Sequence, residues 1–199
     1  MSATSAGTSR TAVAAPERVR RFDEVVDRYF EQHLRGRPYL DVVMYTASLA
    51  AEHSILWLVL AGIESWQKER SPRPLARVAL ALGAESALVN GPVKALFRRR
   101  RPERTAPAPL PLRNPRTSSF PSGHASAAFF AAALLRDGSG ARAYYPLAAI
   151  VAASRVYVRT HHASDVVAGA ALGAVLGELA RPLAGLGRAA GTTGTGSLL

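Results

Sequence analysis

The chain has 199 residues and a formal net charge of +11, with 25 lysines and arginines against 14 aspartates and glutamates. The length fits one domain with a sizeable core, and the charge favours anionic partners such as nucleic acid, lipid headgroups or phosphorylated molecules. Because there is no cysteine, disulfides and thiolate metal sites are excluded. Hydrophobic residues make up 48% of the chain, but the mean hydropathy is only +0.05 because two polar ends dilute an apolar middle.

The two ends of the chain are polar and rich in small residues. Residues 1–15 and 186–199 have a composition that predicts disordered tails. The first tail lacks the apolar stretch of a secretory signal, so we expect any membrane insertion to use internal segments. In segment 16–38, charged residues alternate with apolar ones at helical spacing after Pro16, which predicts a helix. Two interpretations of this helix stay open: it lies at a membrane interface, or it is a solvated surface helix.

Five apolar segments follow and determine the predicted fold. They cover residues 40–63, 75–97, 125–135, 143–158 and 164–183. All except the third have 16 to 24 residues, close to the roughly 20 residues with which a helix crosses a bilayer. No segment alternates as a strand does, so residues 39–185 are predicted to form an all-α, integral-membrane bundle of five or six helices. Small residues recur on the faces of 164–183 and predict close helix packing there.

Three polar clusters stand at the ends of these segments. They are Lys94 with Arg101-Pro102, Pro121-Ser122-Gly123-His124, and Ser154-Arg155 with His161 and Asp165. If five helices alternate in direction, the first cluster ends the second helix, the second cluster begins the third helix, and the last cluster lies between the fourth and fifth helices. Connectivity alone then places all three clusters on the same face of the bundle, where they can form one site.

The residue types in these clusters suit the handling of a phosphoryl group. Lys94, Arg101 and Arg155 supply three cations for its oxygens, and arginine offers a planar fork that binds two of them. Ser122 and the backbone N–H of Gly123 can donate further bonds at the start of a helix, where the helix dipole also favours an anion. There is no carboxylate cluster for a metal. We therefore expect no metal and no cofactor, with the cations in the place of a metal.

The clusters resemble, at every position and with full spacing, the three-part signature of the type 2 phosphatidic acid phosphatase (PAP2) family, which shares its site with the vanadium haloperoxidases. That signature is Lys-x6-Arg-Pro, Pro-Ser-Gly-His and Ser-Arg-x5-His-x3-Asp. The resemblance covers 94–165, and the helices as far as about residue 183 fit the same fold. It implies a PAP2/haloperoxidase-like helical core and a metal-independent phosphatase. Residues 1–38 and 185–199 gain no support from it.

The resemblance also implies the catalytic roles. His161 attacks phosphorus and forms a phosphohistidine, for which a neutral, oriented imidazole is suited. Asp165, four residues further on, orients that imidazole and offsets the charge of the intermediate. His124 protonates the leaving oxygen and then activates water.

Several polar residues near the clusters have simpler interpretations. Arg98 to Arg100 are expected to contact lipid headgroups or solvent, and His162 is expected to face away from the substrate. We expect Glu85 and Asn90 to face the bundle interior. Glu52 and His53 interrupt segment 40–63, either as a polar pair between helices or as part of a substrate entrance.

The hypothesis from sequence is a multi-pass enzyme of the cell membrane that hydrolyses a lipid phosphomonoester or diphosphate. Candidate substrates are phosphatidate, phosphatidylglycerol phosphate, a polyprenyl diphosphate or a polyprenyl-linked sugar phosphate. The alternatives are a soluble acid phosphatase or vanadate-dependent haloperoxidase with the same site, and a non-enzymatic basic membrane protein. Nucleic acid is not an expected partner, since no nucleic-acid module is visible. The excess of arginine on the predicted site face favours a cytoplasmic site by the positive-inside rule. Catalysis itself requires some of these arginines, so both orientations in the membrane stay open.

Overall fold

The computed structural model describes residues 15–68, 70–104 and 117–185, and every regular element in these ranges is helical. The all-α fold predicted from the sequence is therefore confirmed for this part of the chain. The predicted tails fall outside the described residues except for residue 15.

The helices follow the apolar segments closely in order and less closely in length. Their bounds are α1 Glu17–His33, α2 Pro38–Ala50, α3 Ile55–Lys68, α4 Arg73–Leu88, α5 Lys94–Leu96, α6 Gly123–Leu135, α7 Ala141–Tyr157 and α8 Ala163–Leu183. The helix predicted for 16–38 is thus present as α1. It begins directly after Pro16, whose φ of −54° suits the entry into a helix.

Two of the apolar segments are broken rather than continuous. Segment 40–63 breaks at a single 3-10 turn, Glu52–Ser54, and the helices on either side of it are bent by 67°. Segment 75–97 leaves the α-helix after Leu88 and passes through a π-helical turn, Val89–Val93. Pro92 lies inside that turn, where its ring and its missing N–H are incompatible with a regular helix. The prediction of one helix over 75–97 was wrong because it overlooked this proline.

Helix length supports fewer membrane spans than the sequence pattern predicts. Among the described residues, α8 alone is long and apolar enough to cross a bilayer, and the bent pair α2 and α3 counts as a second span if it is one broken helix. Helices α4, α6 and α7 have 16, 13 and 17 residues, below the roughly 20 that a perpendicular span needs. The count of five or six spans stays a prediction.

The contact between α6 and α8 forms the centre of the bundle. Helix α6 is rich in alanine and is buried on almost every side. Gly169, Gly173 and Gly177 recur every four residues along the face of α8 that meets it, and a Cβ at any of the three would collide with main-chain atoms of α6 or its N-cap. The close packing predicted from the small residues of 164–183 is therefore confirmed. Helices α3, α4 and α7 pack around α6 through a further apolar cluster.

This packing brings the N-terminal ends of α6 and α8 together. The backbone N–H of Ser122, which precedes α6, donates to the carbonyl of Asp165 in the first turn of α8 at 3.0 Å. Two of the three polar clusters of the sequence therefore meet through a main-chain hydrogen bond.

We predict that Gly173→Ala destabilises the protein by about 1–3 kcal/mol, because the added methyl group forces α6 and α8 apart. The measurement is thermal unfolding in detergent. Gly83→Ala is the matched control: Gly83 lies in α4 with no neighbour within 4 Å of the added Cβ, so alanine there is neutral or stabilises by up to about 1 kcal/mol. Equal unfolding temperatures for the two variants would contradict the close contact.

Candidate active site

One cavity of about 310 Å³ collects residues from all three polar clusters. Six of the eight predicted site residues line it: Lys94, Arg101, Gly123, His124, Arg155 and His161. The other two, Ser122 and Asp165, are fully buried and are held behind the lining by the hydrogen bond between them.

Two of the three cations of the cavity, Arg101 and Arg155, are held by backbone and hydroxyl oxygens. Arg101 donates to the carbonyls of Thr160, at 2.8 Å, and Ser118, at 3.2 Å. Arg155 donates to the hydroxyl of Ser48 on α2. Among the described residues, none of the three cations is within ion-pair distance of a carboxylate. Their charge is therefore available to an anion in the cavity.

A hydrogen bond from Arg101 determines the protonation pattern of His161. Its Nη1 lies 3.1 Å from Nε2 of His161. A guanidinium has donors and no acceptor, so Nε2 must be the accepting nitrogen and the proton of the neutral ring lies on Nδ1. This tautomer presents a lone pair at Nε2, on the side of the ring that faces the cation.

The opposite nitrogen of the ring faces Asp165. Nδ1 of His161 is buried and lies 3.7 Å from Oδ2 of Asp165. That distance exceeds hydrogen-bond length, although such contacts often shorten when a ligand binds. Asp165 is itself fixed, since its Oδ2 accepts from the backbone N–H of His162 at 2.9 Å.

Burial and the neighbouring cations keep the imidazole of His161 neutral. Burial in the protein, reinforced by the guanidiniums of Arg101 and Arg155 and partly opposed by the Asp165 carboxylate, lowers the pKa of His161 to about 4. At neutral pH the ring therefore carries no charge and keeps its lone pair.

The second histidine of the cavity, His124, stands in the first turn of α6. Its Nε2 is buried and has no hydrogen-bond partner among the described residues. A buried polar atom without a partner is costly, and one in the wall of a cavity is ready to bond to a ligand.

Ser122 and Gly123 have different local roles. Ser122 is the N-cap of α6, and its hydroxyl oxygen accepts from the backbone N–H of Ala125 at 3.4 Å. Gly123 lines the cavity and Ser122 does not, and the phosphate-binding roles of both residues stay predictions. A Cβ at Gly123 would lie 2.6 Å from Oδ1 of Asn90, so any larger residue here would force the Asn90 side chain to move.

The prediction that Arg99 contacts solvent or lipid headgroups was wrong. Its guanidinium is 13% exposed and bridges two buried carboxylates, Asp165 at 2.6 Å and Asp23 of α1 at 2.5 Å. Asp23 lies 76 residues before Arg99, and no spacing pattern connects them, so sequence reasoning had no signal for this contact. Arg98 and Arg100 are exposed, as predicted.

The remaining polar residues divide between the interior and the cavity. Glu85 is buried and accepts from the hydroxyl of Ser126, which confirms its predicted interior position. Asn90 is exposed and lines the cavity, so the same prediction was wrong for it. His162 does not line the cavity, as predicted.

Comparison with known proteins finds relatives that are named as phosphatases. The chain is 33% identical over 170 residues to the decaprenylphosphoryl-5-phosphoribose phosphatase of Mycobacterium tuberculosis, covering 85% of this chain and 94% of that protein. It is 35% identical over 122 residues to the lipid A 1-phosphatase of Porphyromonas gingivalis, covering 58% of this chain and 24% of the relative.

A solved structure and a family profile agree with these relatives. The crystal structure of a transmembrane PAP2-type phosphatidylglycerolphosphate phosphatase from Bacillus subtilis superposes with a TM-score of 0.65 and 25% identity, over 84% of this chain and 87% of that one. Its likeness, together with the apolar helix α8, supports a location in the membrane. The PAP2 superfamily profile matches residues 74–184. The chain therefore belongs to the PAP2 superfamily and is a phosphatase of that type.

Proposed function

We propose that the protein hydrolyses a lipid phosphomonoester or diphosphate without a metal, through a phosphohistidine at His161. The observation that carries this proposal is the hydrogen bond from Arg101 to Nε2 of His161. It selects the tautomer whose lone pair faces the cations, and a nucleophile needs that lone pair directed at the bound phosphoryl group.

Substrate binding uses the cations that lack a carboxylate partner. Lys94, Arg101 and Arg155 surround the phosphoryl oxygens, and the N–H groups at the start of α6 add donors. When Arg101 turns its Nη1 to a phosphoryl oxygen, it releases Nε2 of His161 next to phosphorus. Binding and activation of the nucleophile are thereby coupled.

The first chemical step transfers the phosphoryl group to the enzyme. The Nε2 lone pair of His161 forms a bond to phosphorus while the bond from phosphorus to the leaving oxygen breaks. The negative charge of the bound phosphoryl group offsets the neighbouring cations, so that His124 holds a proton in the complex and gives it to the leaving oxygen. Asp165 accepts the Nδ1 proton of His161 in a hydrogen bond and stabilises the positive charge that develops on the ring.

The second step restores the enzyme. His124, now neutral, takes a proton from a water molecule, whose oxygen attacks phosphorus. The bond from phosphorus to Nε2 breaks, the lone pair returns to His161, and inorganic phosphate leaves. His124 is again protonated, so protons and electrons balance over the cycle.

We propose that the substrate is a lipid whose tail lies between helices. The relatives are named for phosphates of decaprenyl, lipid A and phosphatidylglycerol lipids, which supports this class over a soluble substrate or a haloperoxidase. An apolar groove of about 480 Å³ runs between α4, α6 and α8. Glu85 lines the groove and the next residue, Ser86, lines the catalytic cavity, so helix α4 borders both.

The proposed location is a multi-pass arrangement in the cell membrane with the site on the cytoplasmic side. Positively charged residues concentrate around the catalytic face, including Arg98 to Arg101, and cytoplasmic ends of membrane helices carry such an excess.

We predict that His161→Ala lowers lipid-phosphate hydrolysis by at least about 1,000-fold, because the nucleophile is lost. The measurement is phosphate release from phosphatidate and phosphatidylglycerol phosphate by purified protein in detergent with EDTA. His33→Ala, at an exposed position of α1, is the control and retains full activity. Loss of wild-type activity in EDTA would overturn the metal-independent mechanism, and release by His161→Ala at the wild-type rate would overturn the nucleophile.

The lowered pKa of His161 gives a second prediction. A histidine with an ordinary pKa is half protonated near pH 6.5, whereas the pKa of about 4 at His161 leaves its ring neutral down to about pH 5. In ¹⁵N spectra of histidine-labelled protein, with His161→Ala for assignment, we expect an Nδ1–H tautomer that persists over this range. An imidazolium signal at pH 6 would contradict both the tautomer and its proposed role.

A further inference from the structure

The break between α2 and α3 brings a carboxylate to the phosphate cavity. His53 and Ser54 both adopt positive φ angles, 53° and 60°, although neither is glycine. Such backbone is unfavourable for residues with side chains and occurs where the surrounding structure needs it, often at functional sites. Here its effect is to turn the chain so that Glu52, His53 and Ser54 line the cavity that also contains the three cations.

No bond to another part of the described structure fixes the carboxylate of Glu52 in this position. Its side chain is half-buried, and it makes no hydrogen bond and no ion pair with any described residue. It is close enough to Arg155 for their charges to interact, but the guanidinium of Arg155 is bonded to Ser48 instead. A carboxylate repels a phosphate, so its presence in a phosphate cavity needs a donor from another part of the substrate.

We propose that Glu52 accepts hydrogen bonds from hydroxyl groups that the substrate carries next to its phosphate, which makes a phosphorylated sugar or glycerol headgroup the preferred substrate class. The inference rests on the proposed phosphatase function. Phosphatidate and prenyl diphosphates have no hydroxyl beside the phosphate, since their neighbouring oxygens are esterified or ionised. These lipids therefore give Glu52 no hydrogen-bond donor, and the negative charge of their phosphate repels its carboxylate.

Paired substrates test this proposal. For Glu52→Gln, we expect kcat/KM for phosphatidylglycerol phosphate, whose glycerol carries a free hydroxyl, to fall about 10-fold or more, because a hydrogen bond to a charged group is lost. The value for phosphatidate stays equal or rises. Glu24→Gln, an exposed carboxylate on α1, is the matched control and leaves both values unchanged.

The remaining outcomes of that experiment overturn the proposal. Equal losses on both substrates would make Glu52 a counter-charge for Arg155, and no loss on either substrate would remove it from recognition. If wild-type protein hydrolyses neither lipid, the proposed glycerolipid substrates are wrong and the inference fails with them, an outcome distinct from a loss confined to Glu52→Gln.

A second inference comes from a separate network behind the cavity. Arg99 donates through Nη1 to Oδ1 of Asp165 at 2.6 Å and to the hydroxyl of Ser164 at 2.7 Å, and through Nη2 to Asp23 at 2.5 Å. Asp23 also accepts from the backbone N–H and the hydroxyl of Ser164, at 2.8 and 2.9 Å. One guanidinium and one carboxylate thus join α1 to the first turn of α8.

This network leaves the Asp165 carboxylate one direction in which it can accept a further hydrogen bond. Its Oδ1 is occupied by Arg99, while Oδ2 accepts from His162 and faces Nδ1 of His161. We infer that Arg99 and Asp23 are positioning residues, which hold Asp165 toward His161 and make α1 part of the catalytic support. Neither residue lines the cavity, so both act through Asp165 and not on the substrate.

The test is a comparison of kcat, KM and the pH profile. For Arg99→Gln and Asp23→Asn, we expect kcat to fall about 10- to 100-fold, as is usual for residues that orient a catalytic group, with KM unchanged. Arg99→Lys keeps the charge and recovers part of the loss. Arg100→Gln, at an exposed position beside Arg99, is the control and retains wild-type kcat.

The pH profile separates positioning from general support of the fold. The charged or titratable groups around His161 are Arg101, Arg155, Asp165, His124, Lys94, Glu52 and His53. Without Arg99, the carboxylate of Asp165 acts on His161 undiminished and stabilises its imidazolium, so the acid limb of kcat moves to higher pH. Asp23→Asn leaves Arg99 in place, so we expect the acid limb of kcat to stay where it is or to move to lower pH. An unchanged kcat, or an equal loss with no movement of the acid limb in Arg99→Gln, would overturn the positioning role.

Discussion

The direct contact between the backbones of α6 and α8 is the constraint on which the site depends. Gly169 and Gly173 carry no Cβ, so α8 lies against the main chain of Ser122 and Ser126. This approach is close enough for Ser122 to donate to the carbonyl of Asp165. The orienting acid and the helix start that carries His124 are therefore fixed relative to each other by main-chain contacts, which leave less freedom than contacts between long side chains.

Charge is the second constraint, because buried cations without counter-charges lower the stability of the protein when no ligand is bound. Lys94 and Arg155 are buried and Arg101 is partly buried. In the described part of the chain, none of the three has a carboxylate within ion-pair distance. Burying unpaired cations opposes folding, and bonds to backbone oxygens offset only part of that cost. In the proposed function, a doubly charged phosphoryl group supplies the missing counter-charge. Near the site, the carboxylates of Asp23 and Asp165 both neutralise Arg99, which lies outside the cavity.

The helices and most residues of the candidate site could be predicted from the sequence, because both depend on patterns within short segments of the chain. His161 and Asp165 are four residues apart, and Lys94 and Arg101 are seven apart. Such short spacings fix the relative positions of the two residues within one segment, whatever the rest of the fold. Connectivity then placed the three clusters on one face. Patterning also indicated the helices and the close packing of 164–183, since helix period and small residues act over single turns. The errors came from residues that act against the pattern, as Pro92 does inside an apolar run.

The sequence by itself determined the all-α class, the family signature and six of the residues that line the candidate site. The tertiary structure alone decided which partner each group has. It made Ser122 a helix cap, directed Arg101 to Nε2 of His161, bent the chain at His53, and joined Asp23 to Arg99 across 76 residues. The physical reason is that hydrogen bonds and charge pairs depend on distances of a few ångströms between side chains. Those distances are set by how helices pack, and no spacing along the chain encodes them.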